Sequence, residues 1–331
     1  MTAYRTCTRN AAATLVVWAL GLTLAAAQPQ EQPQPQPGIH WSREQILDAV
    51  APVRADRKLT PSSWPGGARV AVCFSFDVDN EALSLARGNI APVALSAGEF
   101  GAMTGLPRLL DLLERQGIPA SFYIPAVSAM LHPKMIEMIR EPGVHEIGVH
   151  GWIHESLPAL DDSKEEERLL NQAMEYLTEA TGRRPVGYRA PAWAFSQYTL
   201  GLIRSAGFLY DSSMMAMDEP YALLTNGEKT GLIELPVDWI LDDYPYFGPN
   251  ASGSAPNPES PFQVYRDEFD EAYDEGTLFM LTMHPHIIGH RSRIRHLEEL
   301  MSYMKSRPGA WFATAEQIAR YISESSHESG Q

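Results

Sequence analysis

The feature that most constrains the fold is a regular alternation of predicted strands and helices that begins near Ala68. An apolar run from Val70 to Phe76 predicts a buried strand. Similar short runs recur between amphipathic segments as PASFYIP, HEIGVH, VGYRAP, FLYDS, GLIELPV, TLFMLTMHPH and AWFAT. Because this alternation continues without a break in composition, it predicts one parallel β/α architecture.

Helix ends are also marked in the sequence. The leucine-rich helix after Leu106 is predicted to end at Gly117, a residue type that favours the left-handed conformation of a helix C-terminus. Ser163 with Glu166 predicts a capping box for a long helix, and Thr314 with Gln317 predicts another for the last helix.

The N-terminus has the pattern of a secretory signal peptide. Arg5 and Arg9 precede an unbroken apolar stretch at 11–27 that ends in three alanines. We expect cleavage after residue 27, and the alternative is an uncleaved anchor of 17 residues, near the short limit for a membrane span. Residues 28–38 are rich in proline and glutamine and predict an extended, disordered linker.

The rest of the chain divides into an N-terminal extension at 39–67, the β/α domain at 68–322 and a disordered tail at 323–331. Cleavage removes two arginines and no acids, which moves the net charge from −15 to −17. Such a chain is poorly suited to nucleic acid or to an anionic membrane surface, and we expect no membrane span in the mature protein. Cleavage also removes Cys7, so Cys73 alone cannot form an intramolecular disulfide.

Several predicted strands end in polar side chains. Asp77 and Asp79 follow the first strand, and His150, Arg189 and His284 follow later ones. Because the carboxyl ends of parallel strands meet on one face of a β/α barrel, these residues are expected to converge there.

His150 and His154 are spaced so that both imidazoles can reach one cation from a helical turn or a tight loop. With one carboxylate they would form a three-ligand site that keeps open positions, as catalytic metal sites do. The alternative is that two surface or capping histidines coincide by chance.

Four motifs in order give the chain a resemblance to a known family: DVD after the first strand, HGWIHE after the third, GYRAPAW after the fourth, and MLTMHPH near the end. Over residues 68–320 the chain resembles the polysaccharide deacetylase (NodB-homology) family, carbohydrate esterase family 4. It is most similar to the peptidoglycan-deacetylase-like branch, which includes allantoinase-like members. The resemblance implies a single-domain distorted (β/α) barrel of seven or eight mostly parallel strands.

The resemblance also implies roles for individual residues. Asp77 is the expected catalytic base, oriented by Arg189, and His284 is the expected general acid. Asp79, His150 and His154 are the expected metal ligands. The expected cofactor is a divalent metal, for which Zn²⁺ suits this donor set best and Co²⁺, Ni²⁺ or Fe²⁺ are acceptable. Substrate-binding residues are predicted beside the site strands: Trp193, Trp239, Pro191 and Tyr246.

Two departures from the family pattern affect the expected substrate. The first motif reads SFDVDNE, so Asp79 is two residues from Asp77 where typical members have adjacent acids. Ala194 stands where the branch often has a glutamate. The first departure weakens the expectation of ordinary chitin-oligomer specificity. The second is expected to change the polarity or the charge balance of the pocket.

The leading hypothesis is a secreted or periplasmic metal-dependent amidohydrolase that removes N-acetyl groups from a cell-envelope or extracellular glycan. One alternative is a hydrolase that opens a small cyclic amide or imide. Another is a non-catalytic glycan-binding module with a relic metal site. The expected partner is a glycan or small amide substrate, and assembly into a homo-oligomer stays open.

Overall fold

The structure, a computed structural model, describes residues 38–160, 162–248 and 257–328, with only the backbone at 326–328. The predicted signal peptide 1–27 and all of the predicted linker except Gly38 lie outside the described residues. Within these ranges, no helix is both long enough and apolar enough to cross a membrane.

The described ranges contain ten strands: β1 (Arg54–Lys58), β2 (Val70–Asp77), β3 (Ala120–Ile124), β4 (Glu146–Val149), β5 (Gly187–Tyr188), β6 (Tyr210–Asp211), β7 (Tyr221–Thr225), β8 (Glu228–Glu234), β9 (Leu278–Met283) and β10 (Ala310–Phe312).

They also contain thirteen α-helices: α1 (Arg43–Val50), α2 (Ala82–Ala86), α3 (Pro92–Phe100), α4 (Leu106–Gln116), α5 (Ala126–Leu131), α6 (Pro133–Arg140), α7 (Ser163–Thr181), α8 (Thr199–Ser205), α9 (Tyr244–Phe247), α10 (Glu259–Glu275), α11 (Pro285–Ile288), α12 (Arg291–Lys305) and α13 (Ala315–Glu328). One π-helical turn, Gly101–Gly105, joins α3 to α4.

The sheet is mostly parallel and curls into an incomplete barrel. Its order is β1-β7-β8-β6-β5-β4-β3-β2-β10, and β9 also pairs with β2. Eight of the described strands run parallel to one another, and β1 and β7 are joined by antiparallel pairing. After β8 the chain reaches β9, where Asp242 forms a parallel bridge with Thr282. The predicted (β/α) barrel with seven or eight mostly parallel strands is confirmed.

The antiparallel part of the sheet was not predicted. Strand β7 pairs with β8 across the turn Asn226–Gly227, in which both residues have positive φ (51° and 79°). Asn-Gly between two strands is a strong hairpin signal that the sequence carries. Strand β1 pairs with β7, so the predicted N-terminal extension contributes the edge strand of the domain's own sheet.

Strand β2 shows how the barrel interior becomes a site. Side chains alternate along a strand, and those at 70, 72, 74 and 76 pack in the larger apolar cluster with the surrounding helices. On the other face, Ala71 and Cys73 lie in the second apolar cluster, and Ser75 and Asp77 follow them. The interior face of β2 therefore changes from apolar to polar toward its carboxyl end.

Helix ends agree with the sequence in part. Gly117 ends α4 with φ 64°, and Thr314 and Gln317 form the predicted capping box, with reciprocal hydrogen bonds of 3.2 and 2.9 Å. The box predicted at Ser163 is wrong. Asp162 is the N-cap of α7, while Glu166 is buried and accepts hydrogen bonds from the hydroxyls of Ser196 and Thr199.

The C-terminal end of the domain also differs from the expectation. Helix α13 continues to Glu328, six residues into the stretch that was predicted to be a disordered tail. Its apolar face explains this continuation, because Ile318, Ala319 and Ile322 are fully buried in the second apolar cluster.

Candidate active site

Asp77 and Arg189 form a buried ion pair at the carboxyl end of β2. The Arg189 Nη1 group donates to Asp77 Oδ1 over 2.8 Å, and the two side chains are 0% and 3% exposed. Burial acts to raise the pKa of Asp77, but the positive charge of Arg189, aided by that of His284, outweighs burial and lowers it. Asp77 is therefore held as a carboxylate.

The Arg189 guanidinium is fixed on all sides. Its Nε donates to the Ser212 carbonyl over 2.9 Å, and Nη2 donates to Ser212 Oγ over 2.8 Å. Nη1 also donates to Ser75 Oγ over 3.0 Å, and the group lies 4.0 Å from the centre of the Tyr123 ring. A buried charge needs such partners. Because they fix the Arg189 guanidinium, Asp77 is held in a single orientation.

The HGWIHE segment after β4 forms a tight turn that presents both histidines to one point. Gly151 has φ 74°, and His154 has φ 66°, which is strained for a residue with a Cβ. The Glu155 carboxylate stabilises the turn by accepting from the backbone N–H groups of Trp152 and Ile153 over 2.8 to 3.0 Å. Sequence reasoning missed this role of Glu155.

Asp79, His150 and His154 offer three ligand atoms within 4.8 Å of one another. Asp79 Oδ1 lies 3.5 Å from His150 Nε2, and Asp79 Oδ2 lies 3.7 Å from His154 Nε2. Oδ1 is buried and has no hydrogen-bond partner among the described residues. Burial raises the pKa of Asp79 as an isolated group, so the carboxylate needs a positive charge beside it.

The chemistry of these donors fits a divalent cation. His150 Nδ1 lies 2.9 Å from the carbonyl oxygen of Arg189, to which it donates, and this leaves the Nε2 lone pair directed toward Asp79. Burial lowers the pKa of His150, and it lowers that of His154 to about 4, so both rings are neutral at pH 7, as metal ligation requires.

The backbone around Asp79 is anchored by neighbouring elements. Ser128 at the start of α5 donates to the Asp79 carbonyl over 2.6 Å. Asn80 follows with φ 48°, and the His132 ring lies 2.9 to 3.0 Å from both carboxylate oxygens of Glu81. These contacts tie the turn after β2 to α5 and α6.

His284 follows β9 and forms a dyad with Asp243. Its Nδ1 lies 2.7 Å from Asp243 Oδ1, its backbone N–H donates to Asp243 Oδ2 over 3.1 Å, and its Nε2 lies 3.8 Å from Asp79 Oδ2. Burial acts to lower the pKa of His284, but Asp243 and Asp242 outweigh burial and raise it well above its usual value. The His284 ring is therefore a protonated hydrogen-bond donor directed toward the cluster of three potential metal ligands.

Asp242 and Asp243 are site residues that sequence reasoning missed. Together with His284 they form a second cluster of potential ligand atoms within 4.8 Å. Asp243 hydrogen-bonds His284, and Asp242 Oδ1 lies 3.6 Å from His284 Nδ1, so we assign both residues to orienting His284. Burial raises the pKa of Asp242 to about 7. The bridge between Asp242 and Thr282 of β9 brings them there, and nothing in the local sequence DDYPYF indicates that pairing.

These groups surround a cavity of about 130 Å³. Asp77, Asp79, His150, His154 and His284 all line it, whereas Arg189 lies behind Asp77 and is not part of its wall. The predicted catalytic residues and metal ligands are therefore brought together at one end of the barrel.

The predicted substrate-binding residues divide into two groups. Trp193 and Trp239 line the cavity, and their rings lie 4.3 Å apart between centroids, with Trp239 47% exposed. Pro191 is buried beneath this wall, next to Gly151. Tyr246 does not line the cavity, because its ring packs edge-on against Tyr265, and Tyr244 lines the cavity in its place.

The barrel, the buried base and acid candidates and the three convergent ligand atoms define an enzyme of the amide-hydrolysing class. Comparison with known proteins agrees. The sequence profile of the family described as polysaccharide deacetylase matches residues 99–210. The chain is 31% identical over 281 residues to the peptidoglycan deacetylase of Helicobacter pylori. The alignment covers 76% of this chain and 95% of that protein.

Solved structures give the same assignment. A Mycobacterium smegmatis structure assigned to the polysaccharide deacetylases is similar with a TM-score of 0.74 and 35% identity, over 82% of this chain and 96% of that one. The PuuE allantoinase is similar with a TM-score of 0.69 and 27% identity, over 80% and 92%. The chain belongs to the polysaccharide deacetylase family, whose members are hydrolases that act on carbon–nitrogen bonds other than peptide bonds.

Proposed function

We propose that this protein is an exported, metal-dependent deacetylase that removes N-acetyl groups from a cell-envelope glycan. The observation that carries the proposal is that Asp77, His284 and three convergent ligand atoms border one cavity. The likeness to the H. pylori peptidoglycan deacetylase over 95% of that protein supports the substrate class.

Asp77 is the proposed general base. Its carboxylate borders the cavity, and its pKa lies below the usual value because Arg189 outweighs the effect of burial. Since Arg189 occupies Oδ1, Oδ2 is the oxygen left to take a proton from a water molecule that attacks the amide.

His284 is the proposed general acid. The amine leaving group of an amide must gain a proton as it departs, and the imidazolium, held through Nδ1 by Asp243, has Nε2 directed into the cavity. Asp243 keeps the ring oriented and charged, as the carboxylate of a catalytic triad does for its histidine.

Asp79, His150 and His154 would hold the divalent cation, for which Zn²⁺ is our first choice. When bound, such a cation polarises an amide carbonyl and makes a water molecule more acidic. The unpartnered Asp79 Oδ1 and the Nε2 atoms of two neutral histidines are the donors that the chain supplies.

The aromatic pair beside the cavity favours a glycan. Trp193 has φ 55°, a strained conformation, and the centre of its ring lies 4.3 Å from that of the exposed Trp239 ring. Sugar rings bind to such apolar faces, so the pair is the proposed platform for the residue that carries the acetamido group.

A second candidate is the opening of a small cyclic amide or imide. The likeness to the PuuE allantoinase and the modest cavity of about 130 Å³ favour it. The same base and acid would serve, because ring opening also attacks an amide carbonyl and releases a nitrogen leaving group.

Substrate panels separate the two candidates. We expect the metal-loaded protein to release acetate from N-acetylglucosamine oligomers or peptidoglycan fragments, and a chelator to stop the release. Ring opening of hydantoin or succinimide without acetate release would replace the deacetylase proposal with the cyclic amide candidate.

Export is tested separately. We expect N-terminal sequencing of the mature protein, recovered from the periplasm or the culture medium, to begin at Gln28. An intact N-terminus on membrane-bound protein would instead support an uncleaved anchor at 11–27.

A further inference from the structure

Arg87 borders the same cavity and is not part of the machinery described above. It follows Asp79 by eight residues, lines the cavity with Asp79 and His154, and is exposed. Among the described residues its side chain has no ion pair, hydrogen bond or ring contact. An unpaired arginine on an open surface is ordinary, but one in the wall of a catalytic cavity is available to a ligand.

The local fold holds this arginine at the rim. Helix α2 begins directly after the turn that carries Asp79 and ends at Ala86. Arg87 is its C-cap residue, and Gly88, with φ 67°, redirects the chain. The start of the same segment is fixed by the contact between Glu81 and His132. Arg87 is therefore kept close to the metal-ligand candidates.

Its charge already acts on those residues. Burial dominates and raises the pKa of Asp79, while the Arg87 charge opposes that effect. Burial likewise lowers the pKa of His154 to about 4, and Arg87 acts in the same direction. Both effects require the guanidinium to be near the reacting end of the cavity.

The other charged groups of the cavity have assigned partners. Asp77 is paired with Arg189, and His284 with Asp243, while Asp79 belongs to the three-ligand cluster. Arg87 is the cation that remains. The facing segment after β8 contributes Asp242, whose Oδ1 accepts from the Tyr244 backbone N–H and lies 3.6 Å from His284 Nδ1. The apolar rings of Trp193 and Trp239 form the rest of that side.

We infer that the substrate carries a carboxylate close to the acetamido group that is hydrolysed, and that Arg87 binds this carboxylate. The inference rests on the proposed deacetylase function and narrows its substrate class to acidic N-acetylated glycans. Arginine suits the role because its planar guanidinium can donate two parallel hydrogen bonds to one carboxylate.

Two sources could supply such a carboxylate in a peptidoglycan-type polymer. One is the lactyl ether of an N-acetylmuramic acid unit, and the other is the peptide attached to it. Chitin oligomers carry neither group, so they are the neutral reference substrate.

The experiment measures kcat/KM for acetate release by the metal-loaded protein on four substrates. These are a chitin oligomer, peptide-free glycan strands, the same strands with their carboxylates converted to methylamides, and strands that keep the peptide. Arg87→Gln removes the charge, and Arg87→Lys keeps it. Arg204→Gln, at an exposed position of α8 away from this cavity, is the matched control.

We expect wild type to prefer the free carboxylate over its methylamide by about 10- to 100-fold, the usual range for a charge-assisted hydrogen bond. Arg87→Gln should abolish that preference, so that its kcat/KM for the acid and for the methylamide become equal. Arg87→Lys should retain part of the preference, and Arg204→Gln should retain all of it. Calorimetric binding of the strands to the metal-free protein should follow the same order.

The two proposals fail in different ways. Acetate release at equal rates from the acid, the methylamide and the strands with peptide, or a preference that persists in Arg87→Gln, would overturn the inference and leave the deacetylase function standing. Failure to release acetate from any of the four substrates would overturn both. A preference confined to the strands with peptide would assign the carboxylate to the peptide.

Discussion

Two buried carboxylates at opposite ends of the barrel differ in how they are satisfied. Glu146 begins β4 and accepts three hydrogen bonds, from the Tyr210 hydroxyl (2.6 Å), the Ser121 hydroxyl (2.7 Å) and the Glu316 backbone N–H (2.8 Å). Asp79 follows β2 at the other end, and its Oδ1 has no partner among the described residues. Burial raises the pKa of both groups.

The difference separates a structural carboxylate from a functional one. A buried polar group without a partner destabilises the fold, and native proteins therefore leave few of them. Glu146 joins three elements of the domain at the amino ends of the strands. Asp79 is left incomplete at the carboxyl ends, where the sites of barrel enzymes form, and a bound cation would complete it.

The largest expected effect comes from Asp79→Asn. We expect the loss of cation binding to slow acetate release by about 10³-fold, because electrophilic stabilisation by a metal is worth several kcal/mol. The free energy of unfolding of the metal-free variant should be equal to or higher than that of wild type, since an unpartnered buried charge has been removed. Normal metal content with a normal rate would remove Asp79 from the ligand set.

Asp243→Asn should have the next largest effect. The variant no longer holds His284 as an oriented cation, so we expect kcat to fall by about 10²-fold, within the range for loss of general acid catalysis. Metal content should be unchanged, because Asp243 lies outside the three-ligand cluster. Asp111→Asn, on the exposed side of α4, is the control for a lost aspartate charge. A normal rate for Asp243→Asn would transfer the orienting role elsewhere.

Glu146→Ala should reduce stability and leave activity unchanged, which is the reverse of the effect expected for the two site variants. It leaves three buried donors unsatisfied, so the free energy of unfolding should fall by about 3 kcal/mol or more, at about 1–3 kcal/mol for each lost partner. Chemical denaturation measures this loss. Below the melting transition, kcat/KM of Glu146→Ala should be that of wild type. The control Glu175→Ala, at an exposed position of α7, should leave stability unchanged. A folded, stable but inactive Glu146→Ala would contradict the division between the two ends.

The smallest expected effect is on the pH dependence of stability. Because burial raises the pKa of Glu146 in the folded state, the native protein binds this proton more readily than the unfolded chain does. The resulting stability is complete below the unfolded value of about 4 and is lost as the pH rises through the folded value. The stability of wild type relative to Glu146→Gln should therefore decrease with rising pH across that interval. A constant difference would show that Glu146 titrates as in the unfolded chain.

The sequence predicted one end of the barrel better than the other. Asp77, His150 and Arg189 converge as expected, because each lies at or directly after the end of a strand. The apolar pattern of such a strand is local, and the β/α alternation determines its direction. Glu146 gave no signal at the start of its strand. Its partners Ser121 and Glu316 are 25 and 170 residues away, and only the folded sheet brings them together.

Prediction of the candidate site from the sequence has the same limit. His284 was predicted from its motif, whereas its partner Asp243 lies 41 residues away in a loop that reaches β9 through one bridge. Tyr246 and Tyr244 differ by two positions in one short helix, and only packing against Tyr265 decides which of them lines the cavity. Local patterns predicted strand ends, but loop contacts required the structure.

The most direct test of the comparison is the effect of Zn²⁺ on thermal unfolding of three proteins: wild type, Asp79→Asn and Glu146→Gln. A ligand that binds only the native state stabilises it by about 4 kcal/mol at a concentration 1,000 times its Kd. We predict that Zn²⁺ raises the Tm of wild type and Glu146→Gln by the same several degrees and leaves that of Asp79→Asn unchanged. An equal rise in Asp79→Asn, or no rise in wild type, would contradict the assignment of Asp79 as the carboxylate that a cation completes.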